Sequence, residues 1–225
     1  MGGTITALVA QKKKKDRVSV YLDGKFAFGL AALEALKLKR GQVLSDADIA
    51  HLRRRDDVEK AHERALRFLG YRPRSEAEVR RNLERAGFAP DAIEAVLSRL
   101  GRAGLLDDRA FAQYWLENRS QFGPRSARAL KAELRRKGVA AETIDESLQV
   151  AAHDDAEAAY QAALPKARRW AAQRLDAREF AQKLSAYLVR RGFSYEVARE
   201  AVHRTWTATQ SGESDLSVFD TTSEE

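Results

Sequence analysis

One helical pattern is written three times along this chain, and the repetition restricts the fold more than any property of the composition. Pro73-Arg74-Ser75, Val79, Leu83, Gly87-Phe88, Ile93 and Leu97 recur 51 residues later as Pro124-Arg125-Ser126, Leu130, Leu134, Gly138-Val139, Ile144 and Leu148. A looser copy lies 54 residues further on: Leu184, Leu188, Gly192-Phe193, Ala198 and Val202, with Arg178-Glu179-Phe180 replacing the Pro-Arg-Ser opening. A fixed period means stacked units, each too small to bury its own apolar face. The pairs Val79/Leu83, Leu130/Leu134 and Leu184/Leu188 are spaced i, i+4 and therefore share one face of a helix. Pro73 and Pro124 suit a first helical position, and Gly87, Gly138 and Gly192 suit the left-handed residue that stops a helix. Beyond each glycine a third helix begins, carrying Ile93/Leu97, Ile144/Leu148 and Ala198/Val202.

Paired aspartates stand upstream of each copy: Asp56-Asp57, Asp107-Asp108 and Asp154-Asp155. Paired carboxylates can serve acid/base chemistry or a metal ion. Their recurrence with the repeat instead favours N-caps set against the helix dipole, opening runs over residues 59–69, 109–120 and 156–164. From second aspartate to glycine the third unit is seven residues longer than the other two. That adds about two helical turns, and Pro165 is expected to kink or interrupt them.

The first forty residues read differently. Residues 4–10 and 17–22 are rich in β-formers, and Asp23-Gly24 between two such runs is a strong hairpin signal. Lys12-Lys13-Lys14-Lys15 joins two strands, either as a solvated loop or as a phosphate-contacting patch. Residues 31–36 suggest a short helix, residues 38–41 a turn, and Ser45 the cap of another helix. Arg53-Arg54-Arg55 leads into the first repeat with no flexible linker. The expected organisation is mainly α: a small β-hairpin-containing domain (1–55), three tandem three-helix repeats (56–106, 107–153 and 154–206) and a disordered acidic tail (207–225).

With 44% hydrophobic and 32% charged residues, the chain fits a soluble, mostly helical protein. It has no cysteine, which excludes disulfides and thiolate metal sites and suits a reducing cytoplasm. No apolar run reaches the ~20 residues of a membrane span, and no signal-peptide core follows Met1. His51, His62, His153 and His203 are scattered without metal-ligand spacing, and no phosphate-binding glycine loop is present, so neither an enzyme nor a cofactor is expected. The net charge is +7, and setting aside the five acidic residues of the tail leaves +12 on residues 1–206. Such a surplus points to nucleic acid or an acidic protein surface.

Helical projection places that charge. On a helix over residues 124–137, Leu130 and Leu134 mark the buried side, while Arg125, Arg128 and Arg135 face away from it with Arg136 beside them. The first repeat offers Arg74, Arg81 and Arg85, and the third mainly Lys183, Arg190 and Arg191. Stacked units would align these residues as a stripe suited to an extended polyanion or protein assembly. Phe111, Trp115 and Phe122 fall at helical spacings and are expected to be mostly core. Tyr114, one step off that face, is the better surface contact, and Tyr71, Trp170, Tyr187 and Trp206 are expected to pack at unit junctions.

Phe111-Ala112, Tyr114-Trp115-Leu116, Arg119, Phe122-Gly123-Pro124, Leu134-Arg135-Arg136-Lys137-Gly138 and Ile144 resemble the RecX family, regulators of the recombinase RecA. The hairpin of residues 18–22, Asp23-Gly24 and Phe26-Ala27-Phe28-Gly29-Leu30 is similar to the N-terminal extension of its longer members. The resemblance covers residues 4–206, although the third unit lacks the Gly-Pro element. It implies a row of three-helix repeats curved into an elongated shape. It also implies a monomeric, cytoplasmic protein that lies along the groove of RecA filaments on single-stranded DNA and inhibits strand exchange, ATP hydrolysis and coprotease activity. Arg119 matches the family's arginine before the Gly-Pro element and either contacts the partner or bridges helices. A sequence-independent DNA-binding protein with no recombinase partner is the alternative.

Overall fold

A computed structural model describes residues 2–12, 16–171 and 176–210, which divide into two units, Met1–Asp107 and Asp108–Glu225. Three members of the lysine run, Lys13 to Lys15, and the acidic residues from Glu213 onward lie outside the described residues.

In the first unit, β1 (Gly3–Ala10), β2 (Arg17–Leu22), β3 (Lys25–Ala31) and β4 (Val43–Leu44) form an antiparallel sheet in the order β3-β2-β1-β4. The turn between β2 and β3 is Asp23-Gly24, with φ of 47° and 82°. Positive φ at both central residues matches the right-handed twist of the flanking strands, which is why Asp-Gly works there. Ile5, Val20, Leu22, Phe28, Leu30 and Leu44 bury one face of the sheet against Leu52. Leu52 belongs to α2 (Asp46–Leu69), which follows the four-residue α1 (Ala32–Ala35). The side chain of Ser45 accepts from Asp48 N while Asp48 reaches back to Ser45 N, a complete capping box. Further along α2, Ala61 and Ala65 pack into a second core with Val79 and Leu83 of α3 (Glu76–Glu84) and Ile93, Val96, Leu97 and Leu100 of α4 (Pro90–Arg102).

In the second unit, α5 (Asp108–Phe122), α6 (Ala127–Lys137) and α7 (Ala141–Val150) enclose Phe111, Ala112, Leu116, Leu130, Leu134, Val139, Ile144 and Leu148. Then α8 (Asp155–Ala171), α9 (Ala177–Arg190) and α10 (Tyr195–Gln210) enclose Ala159, Ala163, Phe180, Leu184, Leu188, Phe193, Ala198 and Val202. All three repeats therefore have three helices, and each i, i+4 pair named above is buried. Gly87, Gly138 and Gly192 have φ of 82°, 88° and 94°. In each case the next residue donates back to the carbonyl of Leu83, Leu134 or Leu188, the hydrogen bond of a left-handed helix stop.

Several expectations are corrected. Asp56 and Asp57 cap nothing: Ser45 has already started α2, so the pair lies inside a continuous helix. Asp56 is instead buried, its Oδ2 held by Arg17 Nη2 and Lys60 Nζ, both at 2.8 Å, and its Oδ1 accepting from Ala31 N at 3.1 Å. Pro73 and Pro124 precede the helices by more than one position, because Ser75 and Ser126 are the N-caps, accepting from Glu78 N and Ala129 N. Of the kink or interruption expected at Pro165, the interruption is absent, because the residue sits inside a continuous α8. The tail does not begin at Thr207: α10 continues to Gln210, with Thr207 and Thr209 hydroxyls donating to the carbonyls of His203 and Trp206. Phe122 and Tyr71 are not packed, at 80% and 86% exposed, whereas Trp170, Tyr187 and Trp206 do pack against the third core.

Candidate functional site

The predicted basic residues fall into two classes, those on an outer face and those consumed by internal contacts. Arg81 and Arg85 are exposed on and just after α3, with Arg85 Nε donating to the Arg81 carbonyl at 3.1 Å. Arg128, Arg135 and Arg136 are exposed on α6, away from Leu130 and Leu134. In the third repeat Arg190 is exposed at the end of α9 and Arg191 is half-buried. Arg191 Nη1 donates to the Pro124 carbonyl at 3.0 Å, its own carbonyl accepts from Ser126 N at 3.4 Å, and Arg128 Nη2 reaches the Gly192 carbonyl at 3.4 Å. The C-terminal end of α9 thus abuts the N-terminal end of α6, which brings Arg191 and Arg128 to one junction. Gly192 makes the approach possible: a Cβ there would stand 2.6 Å from Ser126 Oγ and 2.8 Å from Ala129 Cβ.

Arg74 and Arg125 belong to the other class, because each precedes its helix and turns inward. Arg74 lies over the Phe68 ring at 4.0 Å, and burial followed by the charge of Arg72 pushes its pKa down, with Glu78 opposing. In the second repeat Arg119 occupies the position of Phe68, which brings two guanidinium groups together. Glu133, in the position of Asn82, resolves the repulsion. It is only 7% exposed, its Oε2 accepting from Arg119 Nε at 2.8 Å and Trp115 Nε1 at 2.9 Å, and its Oε1 lying 3.0 Å from Arg125 Nε. Arg64 and Asn82 form the corresponding contact in the first repeat at 3.0 Å. Trp115 is further enclosed by Arg119 at 4.6 Å and Lys137 at 4.0 Å from its ring centre. Of the two roles open to Arg119, bridging helices is the one it performs within this chain. Tyr114, at 36%, sits at the margin of exposure.

A second pair of repeat-equivalent contacts links the second and third helices. Arg80 pairs with Glu94 in the first repeat, and Lys131 with Asp145 at 2.7 Å in the second. The hydrogen bond from the cation holds both Glu94 and Asp145 below the usual carboxylate range. These pairs, like Glu133, were not singled out from sequence, and Asp56 was read there as a helix cap. Opposite charges at the same offset in two repeats were the available signal for Arg80/Glu94 and Lys131/Asp145. Between α5 and α8 lies a cleft of about 570 Å³ whose walls mix Glu117, Asp154 and Glu157 with Arg119 and Arg125. Among the described residues no group of three or more His, Asp or Glu could hold a metal ion.

Residues 3–45 match the RecX regulatory-protein N-terminal domain, and residues 61–100, 107–148 and 153–202 match the first, second and third three-helix domains of RecX. This chain belongs to the RecX family. The regulatory protein RecX of Bacillus licheniformis is 35% identical over 204 residues, covering 89% of this chain and 77% of the relative. That of Bacillus subtilis is 33% identical over 200 residues, 88% and 75% of the two chains. A solved RecX regulatory protein superposes with a TM-score of 0.66 at 30% identity, covering 87% of this chain and 96% of that one. RecX from Lactobacillus salivarius shares the fold, with a TM-score of 0.55 at 22% identity over 68% of this chain and 98% of its own. No helix among the described residues is long and apolar enough to cross a membrane.

Proposed function

We propose that this RecX-family protein is a negative regulator of the recombinase RecA. It docks as a monomer along the groove of the RecA filament on single-stranded DNA and inhibits strand exchange, ATP hydrolysis and coprotease activity, with no catalysis or cofactor of its own. The observation that carries the reading is the recurrence of exposed arginines on the helices of successive repeats, Arg128, Arg135 and Arg136 on α6 and Arg190 on α9 in one unit and Arg81 with Arg85 in the other. Glu133 holds the inward Arg119 and Arg125, while the outward arginines face solvent and favour a polyanionic partner. A cytoplasmic recombinase filament presents both protein and phosphate, which suits a basic, helical, non-membrane family of regulators.

The test is co-sedimentation with purified RecA, with single-stranded DNA, and with the two together. Filaments are expected to retain the protein at salt concentrations that release it from bare DNA. The logarithm of affinity should fall with the logarithm of salt by roughly one unit per phosphate contact. Equal retention on bare DNA and on filaments would favour a DNA-binding protein that acts without a recombinase.

A further inference from the structure

Tyr71 and Phe122 occupy the same position in the first and second repeats, and at 86% and 80% they are the most exposed large hydrophobic side chains among the described residues. Scattered apolar residues on a surface need no explanation, but an aromatic ring exposed twice at one repeat position is not scatter. Each ring also stands on a fixed corner. In the first repeat Gly70 N donates to the Leu66 carbonyl at 2.9 Å, and Arg72 donates to the Pro73 carbonyl at 2.8 Å and to Glu78. In the second repeat Gly123 N donates to the Arg119 carbonyl at 3.0 Å, and Arg191 supplies the guanidinium on the Pro124 carbonyl at 3.0 Å. The second repeat has glycine where the first has Arg72, and a Cβ on Gly123 would lie 3.5 Å from Arg191 Nη1. Two different arginines therefore brace the same corner, and each ring is presented with its backbone already ordered, which lowers the cost of binding through it.

We infer that Tyr71 and Phe122 are anchors that seat in apolar pockets of a protein partner. Their surroundings separate this from base stacking on a nucleic acid, which combines aromatic faces with cations available to phosphates. Around Phe122, Arg119 and Arg125 are taken by Glu133, and Arg191 by the Pro124 carbonyl and the Tyr187 ring at 4.8 Å. Around Tyr71, Arg72 is taken by Glu78 and Arg74 by Phe68. These guanidinium groups keep their charge, but each is already held by a carboxylate, a carbonyl or a ring of this chain, which suits an apolar pocket with a polar rim better than a phosphate backbone. The third repeat takes no part: its equivalent residue is Asp176, which caps α9 by accepting from Glu179 N at 2.8 Å.

This inference rests on the recombinase reading for its probe. The experiment compares the parent with the double variant Tyr71→Ser/Phe122→Ser, binding to RecA assembled on poly(dT) and to poly(dT) alone. Thermal stability should be unchanged, filament binding should weaken roughly tenfold or more, and binding to poly(dT) should hold. The exchange Tyr71→Phe/Phe122→Tyr should keep full affinity. A parallel loss on poly(dT) alone would overturn the inference in favour of base stacking, and undiminished filament binding would overturn it in favour of solvated rings. A parent that binds no filament would overturn the functional reading and this one with it, before any variant is made.

Discussion

At the scale of single residues, the second repeat depends on one carboxylate. Glu133 is buried beside two guanidinium groups and an indole N–H, and its removal would leave Arg119 and Arg125 facing each other with no counter-charge. Because both arginines keep about a third of their side chains in solvent, the cost is below that of a fully buried pair. Glu133→Ala should destabilise the protein by about 2–3 kcal/mol, read from urea unfolding, and Glu133→Gln, which keeps an acceptor for Trp115, by less. A loss within ~0.5 kcal/mol, the range of ordinary surface changes, would contradict the clamp. Leu130 and Leu134 were legible in the sequence because an apolar i, i+4 pair declares its face. Glu133 was not, because a glutamate one step before Leu134 looks the same whether it is solvated or clamped. Phe122 was misread for the opposite reason. Its spacing from Phe111 and Trp115 fits a helical face, but α5 ends there and the chain turns at Gly123, so no neighbouring layer remains to cover the ring.

At the scale of elements, the ends of helices decide how the repeats join. Gly87 and Gly192 have the same left-handed backbone, yet a Cβ at Gly87 would meet nothing within 4 Å whereas one at Gly192 would collide with Ser126 and Ala129. Gly87→Ala should therefore cost about 1–2 kcal/mol, the conformational penalty alone. Gly192→Ala should cost about 2–4 kcal/mol, because strain against α6 is added. Thermal or denaturant unfolding of the two variants tests this, and equal losses would mean the approach of α9 to α6 is looser than described. The glycine stops were readable because left-handed geometry leaves a compositional mark. Helix starts were less so. The recurrent aspartates suggested caps, but Ser45 begins α2 before Asp56 is reached, leaving Asp56 to bind Arg17 of β2 and the Ala31 N–H at the end of β3. Only the folded packing of hairpin on helix brings those partners together. In the third repeat Phe180 replaces the capping serine and is buried, and Asp176 takes over the cap one turn upstream.

At the scale of the molecule, charge is the organising quantity. Residues 211–225 carry five acidic groups and no basic one, so they oppose the basic faces. Their deletion removes no residue of α10 and should tighten binding to single-stranded DNA at low salt by several-fold, an effect lost as salt screens it. Weaker binding after deletion would make these residues a contact instead of a competitor. The threefold architecture was legible because period, helix spacing and glycine stops agree with one another. The division of the arginines was not, because helical projection treats Arg125 as part of a helix that in fact begins at Ala127. The most direct test of the account is inhibition of RecA ATP hydrolysis on single-stranded DNA by the parent and by Arg81→Glu/Arg136→Glu, two exposed helix positions outside the buried cores. The parent should suppress hydrolysis, and the double reversal should require roughly tenfold more protein for the same effect. Equal inhibition by the two proteins, or none by the parent, would contradict docking through the basic faces.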